Sequence, residues 1–196
     1  AAHTERMFFF GGLNLRNAQI NAGGVLTHET ATRAEDIGRK AGFRAYSISP
    51  IRDDSPAALG AIWVPIRPGT DTALMLGIAY ILIREGWVDQ AFLDSHTVGY
   101  ESLRRYILGE DGSPPKTPEW ASAISAVPVP LVFELAQQMV QHRSLLTGTW
   151  SLQRAENGEQ PYWMMIALAA MLGQVGLPGG GICFGYGSIG NRGEPR

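Results

Sequence analysis

Two polar residues follow a Pro-Gly turn where an apolar strand leads into an apolar helix. The run 64–77 predicts a short strand, a turn at Pro68-Gly69, and a helix whose first turn holds Thr70 and Asp71. Free N–H groups and the helix dipole make such a position a common seat for phosphates. Asp71 would repel a phosphate, but its carboxylate can accept hydrogen bonds from a ribose or from the N–H edge of a guanine. Thr70 as N-cap and Asp71 in the first turn are also simply good helix starters.

Three other predicted strand ends carry residues that suit the same kind of ligand. The carboxyl ends of parallel strands share one edge of a sheet, and ligands bind in the crevice along that edge. Arginines suit phosphates, amides suit the edges of a base, and an indole can pack against a base. Taken singly, Arg52 can equally pair with Asp53 or Asp54, and Trp150 can be a core residue. The candidate residues at this edge, besides Thr70 and Asp71, are Gly12, Asn14, Ser49, Arg52, Gly69, Trp150, Gln153 and Arg154.

Residue patterns typical of other chemistries are missing. The four histidines share no metal-ligand spacing, and the sequence has no G-x-S-x-G elbow. Cys183 has no histidine nearby in sequence to activate it, and the run at Gly148 lacks the lysine of a P-loop. The sequence therefore presents no catalytic acid, base or nucleophile and no metal ligand, so we expect binding rather than catalysis from its residues.

These candidates must be positioned by elements that alternate between strand and helix. Strands are predicted at residues 7–10, 43–48, 63–66 and 144–147, and helices at residues 30–40, 71–84, 90–94, 100–108, 130–142 and 161–172. Residues 110–118 are predicted to be an exposed loop, and residues 176–196 form a glycine-rich segment. This β-α-β order predicts an α/β fold, with a mostly parallel, doubly wound, Rossmann-like sheet and helices on both faces.

Composition narrows the classes of protein further. The chain has 196 residues, 45% of them hydrophobic, and a formal net charge of -2, so neither nucleic acid nor a membrane is an expected partner. Its single cysteine excludes an internal disulfide and any zinc or iron–sulfur site built from this chain's thiolates. We expect residues 1–196 to form one α/β cofactor-binding domain. Because Ala1 lies close to the first predicted strand, we also expect a piece of something larger.

Several runs are similar to one enzyme family. They are FGGLNLRNAQ from Phe10, SPIR from Ser49, IRPGTDTALMLG from Ile66, WSLQR from Trp150 and, most specific, LAAMLGQVGLPGGG from Leu168. On these runs the chain resembles an internal segment of the molybdopterin-guanine-dinucleotide oxidoreductases of the dimethyl sulfoxide reductase family. Within that family, it is most similar to the branch of the biotin sulfoxide and trimethylamine N-oxide reductases.

The resemblance implies a cofactor and a role for each candidate residue. Such enzymes hold molybdenum through two molybdopterin guanine dinucleotides (bis-MGD) and reduce S-oxides or N-oxides by oxygen-atom transfer. This chain would hold the nucleotide arm of one of them, and the serine that ligates molybdenum would lie upstream, so the chain alone is expected to be inactive. By the same resemblance, Asp71 binds guanine with Thr70 beside it; Gly12, Asn14, Ser49 and Arg52 lie along the pyrophosphate and guanosine; and Trp150, Gln153, Arg154 and Gln160 approach the pterin and the substrate.

Two other functions stay open at this point. The chain could be a stand-alone guanine-nucleotide or cofactor-binding module without catalysis, or a structural α/β domain that forms oligomers through exposed interdomain faces such as residues 13–24. If the chain is instead a segment of such a reductase, its partners are the remainder of the parent enzyme and a small S-oxide or N-oxide substrate. The resemblance allows either the bacterial periplasm or the cytoplasm.

Overall fold

All strands of the fold belong to a single parallel sheet. The computed structural model describes residues 3–13 and 35–183, and in this part the strands are β1 (Arg6–Phe10), β2 (Arg44–Ile48), β3 (Ile62–Val64), β4 (Ser144–Gly148) and β5 (Gly181–Cys183). They are ordered β3-β2-β1-β4-β5, and every pairing is parallel. The chain builds outward from β1 to one side and then to the other, which confirms the predicted doubly wound α/β fold.

The helices of the described part connect these strands. They are α1 (residues 35–38), α2 (Asp71–Arg84), α3 (Gln90–His96), α4 (Tyr100–Leu108), α5 (Pro118–Ser125), α6 (Val129–Gln141) and α7 (Gln160–Met171). Five of them, α2 to α6, lie between β3 and β4, so the connection that crosses the sheet carries most of the helical mass. Within the described residues no single helix is long and apolar enough to cross a membrane; α5 and α6 meet that test only as a pair bent by 113°.

Alternate side chains of β1 enter two hydrophobic clusters on opposite faces of the sheet. Phe8 and Phe10 join the large cluster formed with α2, α6 and α7, and the Phe8 ring stacks on Tyr46 with centroids 5.1 Å apart. Phe9 points to the smaller cluster, against which Ile37 of α1 packs. Because strand side chains alternate between faces, both faces of the sheet carry apolar side chains that must be covered. The helices cover them.

Two strands differ from the sequence prediction. The third strand ends at Val64 rather than at residue 66, since Pro65 has no N–H group to continue the hydrogen-bonded ladder. The fifth strand was not predicted, because its three residues begin with Gly181 inside the glycine-rich segment. Glycine is depleted in strands, and three residues are too few to show an alternating pattern. Residues 184–196 of that segment lie outside the described part.

The predicted exposed loop at residues 110–118 is wrong at its end, where the chain begins α5. Thr117 caps this helix by accepting a hydrogen bond from the Trp120 N–H at 3.2 Å, and Pro118 occupies its first turn. Lys116 is buried, with its ammonium nitrogen 4.1 Å from the centroid of the Tyr106 ring and 5.6 Å from that of Trp120. Cation–π contacts allow this lysine to be buried, a possibility that the polar composition of the loop did not indicate.

Candidate functional site

The strand order reverses between β1 and β4, and the chain leaves β1 there through Gly11 and Gly12. Both glycines have positive φ, at 85° and 78°, which favours glycine. A Cβ on Gly12 would lie 2.8 Å from the Asp54 Cβ and 3.1 Å from the Ser49 Oγ. The structure therefore brings the predicted residues Gly12 and Ser49 into direct contact. Asn14 lies outside the described residues.

Ser49 and Arg52 follow β2 at the same edge, but in different surroundings. Ser49 is fully buried; its hydroxyl oxygen accepts a hydrogen bond from the Ile51 N–H at 3.2 Å, and its carbonyl oxygen accepts one from the Trp63 indole at 2.9 Å. Arg52 is exposed, with its guanidinium carbon 6.0 Å from the centroid of the Trp63 ring. Within residues 3–13 and 35–183 it forms no ion pair with Asp53 or Asp54, so the alternative explanation for Arg52 is not realised.

The turn before α2 places its three predicted residues differently. Gly69 has a φ of 73°, and no atom lies within 4 Å of the position its Cβ would take. Thr70 occupies the N-cap position, but the expected side-chain cap is absent from the described residues: its hydroxyl donates instead to the Arg67 carbonyl oxygen at 2.7 Å. Asp71 begins α2 and is only 3% exposed. Of these three residues, only Asp71 is buried, in the first turn of α2.

One oxygen of the buried Asp71 carboxyl has no hydrogen-bond partner among the described residues. This oxygen, Oδ1, is inaccessible to solvent. Burial raises the pKa of Asp71 from its usual 3.8 to about 6, with its own backbone N–H opposing the shift. A buried ionised group without a partner is destabilising, so this position suits a carboxylate that meets hydrogen-bond donors from another molecule.

Two other charged side chains are buried in the described part, and both are satisfied. Arg6 donates from Nε to Gln138 Oε1 at 2.6 Å and from Nη1 to the Gly42 carbonyl oxygen at 2.7 Å. Lys116 donates to Ser113 Oγ at 3.0 Å and lies against two aromatic rings. Among the buried charges of residues 3–13 and 35–183, Asp71 is therefore the exception, and an exception of this kind is expected at a functional site rather than in a core.

The remaining predicted residues follow β4. Trp150 and Gln153 begin and end a 3-10 turn, and Trp150 is 43% exposed rather than a core residue. Arg154 comes directly after the turn and is exposed. Gln160, at the start of α7, donates from Nε2 to Glu159 Oε1 at 3.2 Å on the surface. The turn thus presents one indole and one cation at the switch point, while Gln160 contacts its own neighbour.

Sequence reasoning did not single out Tyr162, which connects α7 to the turn that follows β4. Its hydroxyl donates to the Thr149 carbonyl oxygen at 2.7 Å, directly after β4. Burial raises the pKa of Tyr162, the backbone N–H of Gln153 opposes that shift, and the nearby charge of Asp71 adds to it. One signal was available: Tyr162 is a hydroxyl-bearing residue in the first turn of an otherwise apolar helix.

The described part of the chain also contains a cavity away from the strand edge. A cavity of about 290 Å³ lies between α3, α4 and α7, where Leu93, Tyr100, Leu103 and Ile166 line it. This lining offers little to hold the phosphates of a nucleotide, so we place the candidate site at the strand edge. Within residues 3–13 and 35–183, no three histidine, cysteine, aspartate or glutamate side chains lie close enough to hold a metal ion.

Comparison with known proteins gives a consistent family. The family model described as molybdopterin oxidoreductase matches residues 5–195. The chain is 45% identical to a biotin sulfoxide reductase from Cereibacter sphaeroides over 195 residues, which are 100% of this chain and 26% of that protein. It is 39% identical to a dimethyl sulfoxide/trimethylamine N-oxide reductase from Rhodobacter capsulatus, covering 95% of this chain and 22% of the relative. The chain thus spans about a quarter of the length of these relatives.

A solved structure shares the fold. Acetylene hydratase from Pelobacter acetylenicus superposes with a TM-score of 0.70 at 21% sequence identity, over 89% of this chain and 22% of that protein. At this level of identity the likeness concerns the fold alone. It agrees with the parallel sheet and its covering helices.

Proposed function

Because the chain belongs to the molybdopterin oxidoreductase family, we propose that it binds the guanosine end of a molybdopterin guanine dinucleotide within a larger S-oxide or N-oxide reductase. The observation that carries this proposal is the buried carboxyl of Asp71 at the start of α2, whose Oδ1 has no hydrogen-bond partner among the described residues. When bound, the molybdenum of the cofactor supplies the oxygen-atom transfer chemistry. The residues of this chain bind and orient its nucleotide arm.

The chemistry of Asp71 favours guanine over the other parts of such a ligand. Guanine presents an N–H and an adjacent NH₂ group, both donors, which match the two oxygens of a carboxylate. A phosphate presents only acceptors and negative charge, and an unpaired buried carboxylate would repel it. Binding guanine would give Asp71 Oδ1 the donor that it lacks among the described residues, so the residues present fit the nucleotide that the family implies.

The rest of the edge suits the pyrophosphate and the groups beyond it. Arg52 and Arg154 are exposed cations on either side of the switch point, and arginine pairs well with phosphate oxygens. Trp150 offers an exposed aromatic surface at the same edge. We assign the larger set to cofactor binding: Gly12, Asn14, Ser49, Arg52, Gly69, Thr70, Trp150, Gln153, Arg154 and Gln160.

We also propose that residues 1–196 form one cofactor-binding domain and that this domain alone does not reduce oxides. The relatives that carry the reductase names are about four times longer, so the rest of such an enzyme would be its main partner. A small S-oxide or N-oxide would be the substrate of the complete enzyme. Cofactor binding can therefore be tested on this chain alone, whereas reduction of an oxide requires the complete enzyme.

Titration calorimetry of the 196-residue chain with GDP and ADP tests the proposal. We expect GDP to bind at least about tenfold more tightly than ADP, because a bidentate contact to a base edge is worth about 1–3 kcal/mol of discrimination. Asp71→Ala should lose this preference. Asp53→Ala, an exposed aspartate at the same edge, is the matched control and should keep it. A folded chain that binds neither nucleotide would contradict the proposal.

One result would favour a different function. A dimer in light scattering that binds no guanine nucleotide would support an oligomer-forming structural domain. The observation behind this alternative is the apolar surface of α7, where Trp163 is 65% exposed and Ile166 is 52% exposed. Such a large exposed indole on a helix is typical of a surface that another protein covers.

The affinity for guanine is expected to fall in mild acid. The Asp71 pKa of about 6 means that below pH 6 the carboxyl is mostly protonated and must lose a proton to accept both guanine donors. We expect the affinity for guanosine to be constant between about pH 7 and 8 and to fall about tenfold per pH unit well below pH 6. Guanosine is the probe because it has no phosphate, which would itself titrate near pH 6. A flat profile between pH 5 and 7 would exclude Asp71 as the base-binding group.

A further inference from the structure

Tyr162 holds both ends of the turn that follows β4. Its hydroxyl donates to the Thr149 carbonyl oxygen at 2.7 Å, and the backbone N–H of Gln153 contacts the same hydroxyl. The 3-10 turn between these two residues is Trp150–Gln153. A single phenol oxygen therefore joins the entry and the exit of this turn to α7.

The turn is also connected to β1 across the switch point. The Thr149 N–H donates to the Phe10 carbonyl oxygen at 3.0 Å, and the Thr149 and Ser151 hydroxyls are 2.6 Å apart. A Cβ on Gly11 would clash with the Thr149 Oγ1, so the two strand ends are in close contact. Thr149 is thus held by β1 through its N–H and by α7 through its carbonyl.

We propose that Tyr162 is a positioning residue whose hydroxyl sets the Trp150–Gln153 turn so that Arg154 meets the phosphates of a ligand whose guanine binds Asp71. This inference rests on the proposed function, which it deepens by dividing recognition between two parts of the edge. Asp71 binds the base, and Tyr162 acts on the phosphates only through the turn. Tyr162 itself contacts neither the base nor the phosphates.

The electrostatic surroundings keep the hydroxyl in its donating form. Burial and the nearby charge of Asp71 both raise the pKa of Tyr162 above its usual value of 10. The phenol therefore stays protonated when the Asp71 carboxyl ionises, and the hydrogen bond to Thr149 persists across the pH range in which guanine binding changes. The positioning role is expected to be independent of pH between 5 and 8.

Tyr162→Phe removes the hydroxyl and keeps the ring. Amide hydrogen exchange of the ligand-free chain measures whether the turn becomes less stable. We expect the amides of residues 150–154 to exchange about tenfold faster, the effect of losing one hydrogen bond. Tyr80→Phe is the matched control, since Tyr80 is half-buried on α2 and its hydroxyl makes no hydrogen bond within the described residues. Unchanged exchange at residues 150–154 in Tyr162→Phe would overturn the proposal.

Titrations with GMP and GDP compare the affinities for one and two phosphates, and a general loss of structure would lower both affinities equally. In Tyr162→Phe we expect the affinity for GDP to fall about tenfold and the affinity for GMP to fall less than about twofold, because the second phosphate depends on Arg154. An equal loss for both nucleotides, or no loss for either, would overturn the role in phosphate binding. If the unsubstituted chain binds no guanine nucleotide, the proposed function is wrong, and so is the assignment of base and phosphate binding to two parts of the edge. The exchange experiment then decides by itself whether Tyr162 holds the turn.

Discussion

Replacing Asp71 with asparagine is expected to abolish the preference for guanine nucleotides and, at pH 7, to make the ligand-free chain more stable. Asparagine keeps the size of the side chain but presents an NH₂ group where guanine also presents donors. It also removes a buried charge whose Oδ1 has no partner among the described residues. Opposite changes in binding and stability distinguish a functional carboxylate from a structural one.

The size of the stability gain follows from the shifted pKa. The folded chain holds the Asp71 proton up to about pH 6, whereas the unfolded chain releases it near 3.8. Stability from this group therefore falls as pH rises between about 4 and 6, and the full cost at pH 7 is on the order of 3 kcal/mol. We expect Asp71→Asn to gain on the order of 3 kcal/mol at pH 7 and less than about 1 kcal/mol at pH 4.

Urea unfolding at pH 4 and pH 7 measures this difference. Asp53→Asn is the control, because Asp53 is exposed at the same edge, and its free energy of unfolding should change by less than about 0.5 kcal/mol at either pH. If Asp71→Asn destabilised the chain equally at both pH values, the carboxylate would have a structural partner, and its assignment to guanine would be wrong.

Gly12→Ala should produce the second large effect, a loss of about 2–4 kcal/mol in the free energy of unfolding. Two causes add: a φ of 78° is strained for alanine, and the new methyl group would meet the Asp54 Cβ at 2.8 Å and the Ser49 Oγ at 3.1 Å. Chemical unfolding of the ligand-free chain measures the change. Because Ser49 lies at the end of β2, the substitution should also separate β1 from β2 at the candidate edge.

Gly69→Ala is the matched comparison. Gly69 has a similar φ of 73°, but nothing lies within 4 Å of where its Cβ would be. Only the backbone strain remains, so we expect a loss of about 1 kcal/mol. The difference between the two variants therefore measures the close approach of β1 and β2 alone. Equal losses would mean that Asp54 and Ser49 move aside for the new methyl group of Gly12→Ala without a measurable cost.

Local sequence patterns determined most of the secondary structure. The helix Asp71–Arg84 begins and ends where its apolar run and its turn residues predict, and so does Tyr100–Leu108. Prediction failed where the signal is short or depends on folding: β5 has three residues, and α5 follows a polar loop whose Lys116 is buried against Tyr106 and Trp120. Both aromatic residues are near Lys116 in sequence, but the polar composition of the loop does not show that the folded chain brings their rings onto the ammonium group.

The sequence by itself determined the edge of the sheet, because parallel strands place their carboxyl ends together and the polar residues after each strand can be read directly. That reasoning indicated Asp71, Ser49 and the run after β4. Only the tertiary structure decided which of these side chains is buried without a partner and which residue holds the turn. Asp71 is buried on α2, which packs beside α7 although 75 residues separate the two helices in sequence, and the Tyr162 hydroxyl on α7 contacts the turn that follows β4. Desolvation and hydrogen bonding depend on such distant neighbours, so the electrostatics of the candidate site follow from the fold and not from the motif.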